Sequence, residues 1–244
     1  VIERKCRIPV NVEIASEFRY RDPFVDDKTL FIAISQSGET LDTLAALREA
    51  KSKGARILSV VNVVGSSVAR ESDDVFYTWA GPEIAVATTK GYTTQLTVLY
   101  LFALYAAKKL ETVEDSTWRK LLSALKALPK QIQQALDMNP GMVHLAKKYH
   151  SACSMFFIGR NTDYAVALEG ALKMKEISYI HAESYAAGEL KHGTIALIHE
   201  GQPVVALCCN DAITEKTMSN IVEVKARGAE VLAVAGKENQ RILS

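Results

Sequence analysis

Two stretches of this sequence carry side chains whose types and spacing could do chemistry. The first is Ser35-Gln36-Ser37-Gly38-Glu39-Thr40, three hydroxyls and a glycine within one short segment. Free N–H groups at a helix start, with hydroxyls beside them and a glycine that lets the chain approach closely, cradle a phosphate monoester without needing a lysine. Glu39 suits an anion only if it points away, and the same residues could equally form a Ser/Thr helix cap.

The second stretch runs from Glu169 to Gly193. Glu169, Lys173 and Glu176 lie four and three apart and so share one helix face, which alone reads as a solvated ion-pair ladder. His181, Glu183, Glu189, Lys191 and His192 then crowd a polar loop with Gly188 and Gly193, a density of ionisable groups with little packing purpose. A carboxylate base and a histidine converging on a phosphate-anchored substrate suit proton transfer next to a carbonyl. A metal held by His181, Glu183, Glu189 and His192 is the rival. No His-Glu-x-x-His or Cys-x-x-Cys spacing occurs, so neither a metal nor another cofactor is expected.

The elements that must position these residues follow from the hydrophobic pattern. Thr29–Ser35 is a short apolar run expected as a parallel strand buried on both faces, and Leu41, Leu44, Ala45, Leu47 and Ala50 recur at helical spacing until Gly54. With Arg56–Asn62 as the next strand this makes a βαβ unit, and Ser66–Glu71 and Asp74–Trp79 add a helical turn and a strand. A buried helix is expected over Tyr92–Leu110, and helices interrupted at Pro129 and at Pro140-Gly141 over 116–148. The strand Ser154–Ile158, a helix over Tyr164–Tyr179, the strand Pro203–Cys208, a helix over Thr214–Arg227 and the strand Glu230–Ala235 complete the pattern.

The segments Glu49–Leu58 and Glu223–Leu232 match, with an offset of 223 − 49 = 174. Two copies of one α/β unit are therefore expected, as residues 1–115 and 145–244 joined by a helical linker over 116–144. The offset carries Ser154–Ile158 back before residue 1 and Asp74–Trp79 past Ser244, so the chain is expected to be a piece of a longer protein. It also sets Cys209-Asn210-Asp211 opposite Ser35-Gln36-Ser37, without the hydroxyls, so one lobe is expected to bind phosphate and the other to do something else.

Composition bounds the partners. Lys+Arg 29 against Asp+Glu 28 leaves a net charge of +1, which gives no basic excess for nucleic acid. The apolar run Leu96–Ala107 is too short for a bilayer and the N-terminus lacks a signal-peptide core, so no membrane role and a cytoplasmic location are expected. Cys6, Cys153, Cys208 and Cys209 are expected as reduced core thiols.

The Ser35–Thr40 loop, the segment Glu83–Lys90 and the segments Leu168–Lys173 and Gly188–Gly193 together resemble the isomerase half of the glucosamine-6-phosphate synthases. These are the isomerising glutamine–fructose-6-phosphate aminotransferases, and that half is two sugar-isomerase (SIS) domains. The resemblance implies two flavodoxin-like α-β-α sandwich lobes with parallel sheets, a phosphorylated hexose as substrate and a homodimer. By it, Ser35, Ser37, Thr40 and the loop amides, Gly38 among them, hold the phosphate, while Gln36 and the backbone at Val86 and Thr88 line the sugar chain. Glu176 would shuttle the proton between the first two sugar carbons. His192 would assist ring opening in the partner's site, and Lys173 would position the open-chain sugar. The glutaminase domain, the Gly-Thr-Ser loop and the Schiff-base lysine of the family fall outside residues 1–244, so this piece alone is expected to be inactive. Thr88, Gly91 and Thr194 stand where the family usually has Ser, Ala and Pro. These departures leave open a related double-SIS isomerase, a fructosamine-phosphate deglycase or a sugar-phosphate sensor.

Overall fold

The computed structural model describes residues 1–236, 239 and 242; the remaining positions of the expected second lobe lie outside the described residues. The chain divides into two compact units, Val1–Gln134 and Ala135–Ser244.

The first unit opens with two short helices, α1 (Ile2–Cys6) and α2 (Ala15–Phe18), before strand β1 (Leu30–Ser35). Helix α3 (Leu41–Ser52) crosses to β2 (Arg56–Val61), and α4 (Ser67–Glu71) leads to β3 (Asp74–Tyr77). The three strands are parallel in the order β1-β2-β3, with Ser35 opposite Val61 in register. Helix α3 forms where the apolar spacing demands it: Leu44, Leu47 and Ala50 are buried against the sheet with Ala33, Ile57 and Val61. Each large side chain buried there contributes about 2 kcal/mol. The helix stops at Gly54, whose φ of +94° only glycine adopts without strain. Helix α5 (Lys90–Lys109) packs Phe102 edge-on against Phe76 of β3.

Strand β1 is not buried on both faces as the run of apolar residues suggests. Ala33 and Ser35 face the α3 core, whereas Leu30 and Ile34 on the other face stay exposed. The reason is position: β1 is an edge of this sheet, and β2, the central strand, is the one buried on both faces.

Ser59, in the middle of β2, is fully buried and its hydroxyl has no hydrogen-bond partner among the described residues. A buried hydroxyl without a partner costs about 1–3 kcal/mol, so Ser59→Ala is expected to raise stability by about 1 kcal/mol. Denaturant unfolding at unchanged slope would measure the gain, and a lower midpoint would refute it.

Helix α6 (Asp115–Leu136) passes from one unit to the next and runs through Pro129 without a break, which corrects the expected interruption. One proline removes a single N–H, and the neighbouring bonds of a long helix carry it across. Helix α7 (Asn139–Tyr149) takes Pro140 in its first turn, where the missing donor costs nothing, so the break falls before Asn139.

The second unit holds strand β4 (Ser154–Gly159), helix α8 (Thr162–Ser178) and strand β5 (His181–Ala186). Strand β6 (Pro203–Cys208), helix α9 (Thr214–Lys225) and strand β7 (Glu230–Ala235) follow. The parallel sheet has the order β5-β4-β6-β7. Met155 and Phe157 pack on one side with Ala167 and Ala171 of α8, and Phe156 and Ile158 on the other with Ile221 and Val224 of α9. This is the two-faced burial expected of a parallel sheet. The repeat holds: β6 and β7 stand at the places of β1 and β2, with α9 in the place of α3. Strand β5 corrects the expectation of a polar loop over 181–193. It is a paired edge strand in which His181 is exposed and Glu183, Ser184 and Tyr185 are half-buried, followed by a turn.

Two of the four cysteines are not core residues. Cys6 and Cys208 are buried, but Cys153 and Cys209 are exposed, because they sit at the ends of strands rather than within them. All four are free thiols. Among the described residues no helix is long and apolar enough to cross a membrane.

Candidate functional site

The loop after β1 is shaped from within. Ser35 Oγ accepts the Gly38 N–H at 3.0 Å and lies 3.3 Å from Thr40 Oγ1, while Ser37 Oγ accepts the Glu39 N–H at 3.2 Å. Gly38 takes a φ of +67°, and its carbonyl accepts the Val68 N–H at 2.9 Å.

Glu39 turns away from the loop. Its Oε1 accepts the Ser67 N–H at 2.8 Å at the start of α4. The Ser67 hydroxyl and N–H, with the charge of Arg70, hold the Glu39 carboxyl below its ordinary value. The negative charge therefore lies at the start of α4 and not over the Ser35–Thr40 hydroxyls.

Thr40 precedes α3, yet no side chain caps that helix: the threonine hydroxyl faces Ser35, and its carbonyl accepts the Leu44 N–H. The helix-cap reading of these hydroxyls thus fails. What remains is the Ser35–Thr40 hydroxyl pair just before the positive end of a 12-residue helix, where helix geometry favours an anion.

The segment between β3 and α5 closes one side of this loop. Glu83 Oε1 accepts Thr88 Oγ1 at 2.7 Å and the Gly91 N–H at 2.8 Å. A Cβ placed on Gly91 would lie 3.4 Å from Gln36 Cγ, so Gln36 and Thr88 are brought to the same place. Val86 is fully exposed, leaving its backbone open to a ligand.

In the second unit Glu169, Lys173 and Glu176 share one face of α8, as their spacing requires. Lys173 Nζ bonds Glu176 and lies 3.6 Å from Glu169. Burial pulls the lysine pKa down, but the carboxylates of Glu176 and Glu169 outweigh it, and the net shift is upward. Lys173 stays an ammonium beside the would-be base.

The other ionisable groups do not form one cluster. His181 and Glu183 lie on β5, where Glu183 accepts Tyr185 Oη and sits 3.3 Å from His181 Nε2. The tyrosine and histidine hold its carboxyl below the ordinary range. His192 lies on the turn after β5, where its N–H donates to the Glu189 carbonyl at 2.9 Å. Its side chain is exposed and joins neither Glu176 nor Glu183 by hydrogen bond or ion pair among the described residues. The same residues hold no group of three His, Cys, Asp or Glu able to bind a metal.

Asp163 is a residue sequence reasoning missed. It is buried on the first turn of α8, and its Oδ2 accepts the N–H groups of Cys209 at 2.9 Å and Asn210 at 3.2 Å. Those are the positions the repeat sets opposite Ser35 and Gln36. In this unit an internal carboxylate takes the loop amides, whereas in the first unit serine hydroxyls take those of Gly38 and Glu39. At the end of β6, burial and then the Asp163 carboxylate push the Cys208 thiol up to about 11.

The family described as SIS domain matches residues 2–105 and 148–243. The glutamine–fructose-6-phosphate aminotransferase (isomerizing) of Clostridium tetani is 56% identical over 240 residues, which are 98% of this chain and 40% of that protein. The protein of the same name from Clostridium acetobutylicum is 57% identical over 237 residues, 97% of this chain and 39% of its own length. This chain therefore spans about 40% of the length of these relatives. Among solved structures, the C-terminal domain of glucosamine-fructose-6-phosphate aminotransferase from Francisella tularensis is 43% identical with a TM-score of 0.97, covering 100% of this chain and 69% of that one.

Proposed function

Since the chain belongs to the SIS-domain family, in its glutamine–fructose-6-phosphate aminotransferase branch, we propose that it is the sugar-isomerising part of such an enzyme. In this reading residues 1–115 and 145–244 are its two SIS lobes, and 116–144 connect them. Its substrate is fructose 6-phosphate, which leaves with an amino group as glucosamine 6-phosphate. It works as a homodimer in the cytoplasm, a reducing compartment that suits four free thiols.

The phosphate sits on Ser35, Ser37, Thr40 and the amides around Gly38, at the positive end of α3. Gln36 and the backbone of Val86 and Thr88 line the sugar. Glu176 takes a proton from one of the first two carbons and returns it to the other through an enediol or enolamine, so the proton count is unchanged. Lys173, held charged beside it, positions the open-chain sugar, and His192 assists ring opening in the partner's site. An exposed imidazole engaged neither with Glu176 nor with Glu183 is free for that work.

One observation carries the reading: the Ser35 and Thr40 hydroxyls turn toward each other and leave α3 without a side-chain cap, while Glu39 is drawn off to α4. In the complete protein, replacing Ser35 and Ser37 together by Ala is expected to weaken fructose 6-phosphate binding by about 100-fold, as loss of two charge-assisted hydrogen bonds requires. Binding of unphosphorylated fructose should barely change. Calorimetry with both sugars separates the outcomes, and equal losses for the two would refute the cradle.

A further inference from the structure

Glu83 lies outside the Ser35–Thr40 loop, yet it organises the segment that meets Gln36 of that loop. One oxygen, Oε1, accepts both Thr88 Oγ1 at 2.7 Å and the Gly91 N–H at 2.8 Å. Gly91 lies in the first turn of α5, and Thr89 before it makes no side-chain cap, so this carboxylate neutralises the positive end of a 20-residue helix. A threonine hydroxyl has one proton. With that proton donated to Glu83, Thr88 Oγ1 can offer a ligand only lone pairs. The space is tight as well: a Cβ on Gly91 would lie 2.5 Å from Thr88 Oγ1, 3.1 Å from Glu83 Oε1 and 3.4 Å from Gln36 Cγ.

We propose that Glu83 is a positioning residue that locks the Thr88 hydroxyl as a hydrogen-bond acceptor beside Gln36, so that this wall reads a hydroxyl donor on the bound sugar. The proposal rests on the sugar-phosphate reading above and adds to it the sense in which one wall discriminates. Because Glu83 acts as an acceptor, a neutral acceptor of the same shape should replace it, whereas removal should not.

The test uses the complete protein and calorimetric binding of fructose 6-phosphate. Glu83→Ala is expected to weaken binding by about tenfold, the scale of one hydrogen bond to a charged group. Glu83→Gln should stay within about threefold of the parent, since its carbonyl still accepts. Gly91→Ala, which pushes on Thr88 and Glu83 while leaving both in place, should lose about as much as Glu83→Ala, and it serves if that variant does not fold. In the Thr88→Val background Glu83→Ala should add little, because the locked hydroxyl is already gone. A merely structural role would make the two losses add. Full additivity, or binding by Glu83→Ala within threefold of the parent, overturns the inference while leaving the phosphate cradle intact. A parent that does not bind fructose 6-phosphate overturns the function and this inference together.

Discussion

Glu176→Gln in the complete protein is expected to bind fructose 6-phosphate normally and to isomerise it about a thousandfold more slowly, the range that general acid–base catalysis supplies. The amide keeps the size and the hydrogen-bonding oxygen of the carboxylate but cannot accept a proton at neutral pH. The fold should not suffer. Glu176 lies on the open face of α8 with a side chain 31% exposed, and its partner Lys173 retains Glu169 at 3.6 Å. Breaking one partly exposed ion pair costs at most about 1 kcal/mol. Loss of proton exchange between the first two sugar carbons and solvent, at unchanged affinity and melting temperature, is therefore a specific signature. An unchanged exchange rate would remove Glu176 from the chemistry and direct the search for a base elsewhere on the second unit.

What could be read in the sequence was the chemistry that is local and the architecture that repeats. The offset between Glu49–Leu58 and Glu223–Leu232 aligned α3 and β2 with α9 and β7, because the same apolar spacing had to bury the same helix face twice. The Ser35–Thr40 loop was legible as a strand-to-helix turn because its shaping bonds run between residues two to five apart. Strand β5 was not, since an edge strand carrying His181, Glu183, Ser184 and Tyr185 has the composition of a loop. Nor could the partners of Glu39 and Asp163 be foreseen. Glu39 meets an amide 28 residues on, and Asp163 meets amides 46 and 47 residues on; only the folded sheet brings these together. Thr88 and Gly91 looked like two separate departures from the family, whereas in space the missing Cβ of one makes room for the hydroxyl of the other.

Gly38→Ala should damage the cradle more than removal of any single hydroxyl. The φ of +67° costs a residue with a Cβ about 1–2 kcal/mol. The larger obstacle is steric: the new carbon would lie 2.1 Å from Ser66 Oγ and 2.6 Å from Ser66 Cβ, a side chain 2% exposed that has no room to retreat. The backbone must move instead, breaking the bonds from Gly38 N–H to Ser35 Oγ and from Val68 N–H to the Gly38 carbonyl. Affinity for fructose 6-phosphate is expected to fall by at least about 100-fold, since several phosphate donors are displaced together. Gly54→Ala is the matched control. Its φ of +94° imposes comparable backbone strain, but its nearest neighbours stand 3.5 Å away at Asp27, remote from the cradle, so it should lower stability and leave affinity alone. If the clash with Ser66 is the cause, Ser66→Gly in the Gly38→Ala background removes both obstructing atoms and should restore most of the binding. Failure of that rescue, with both proteins folded, would show that the left-handed backbone itself, and not the contact beneath it, holds the amides toward the phosphate.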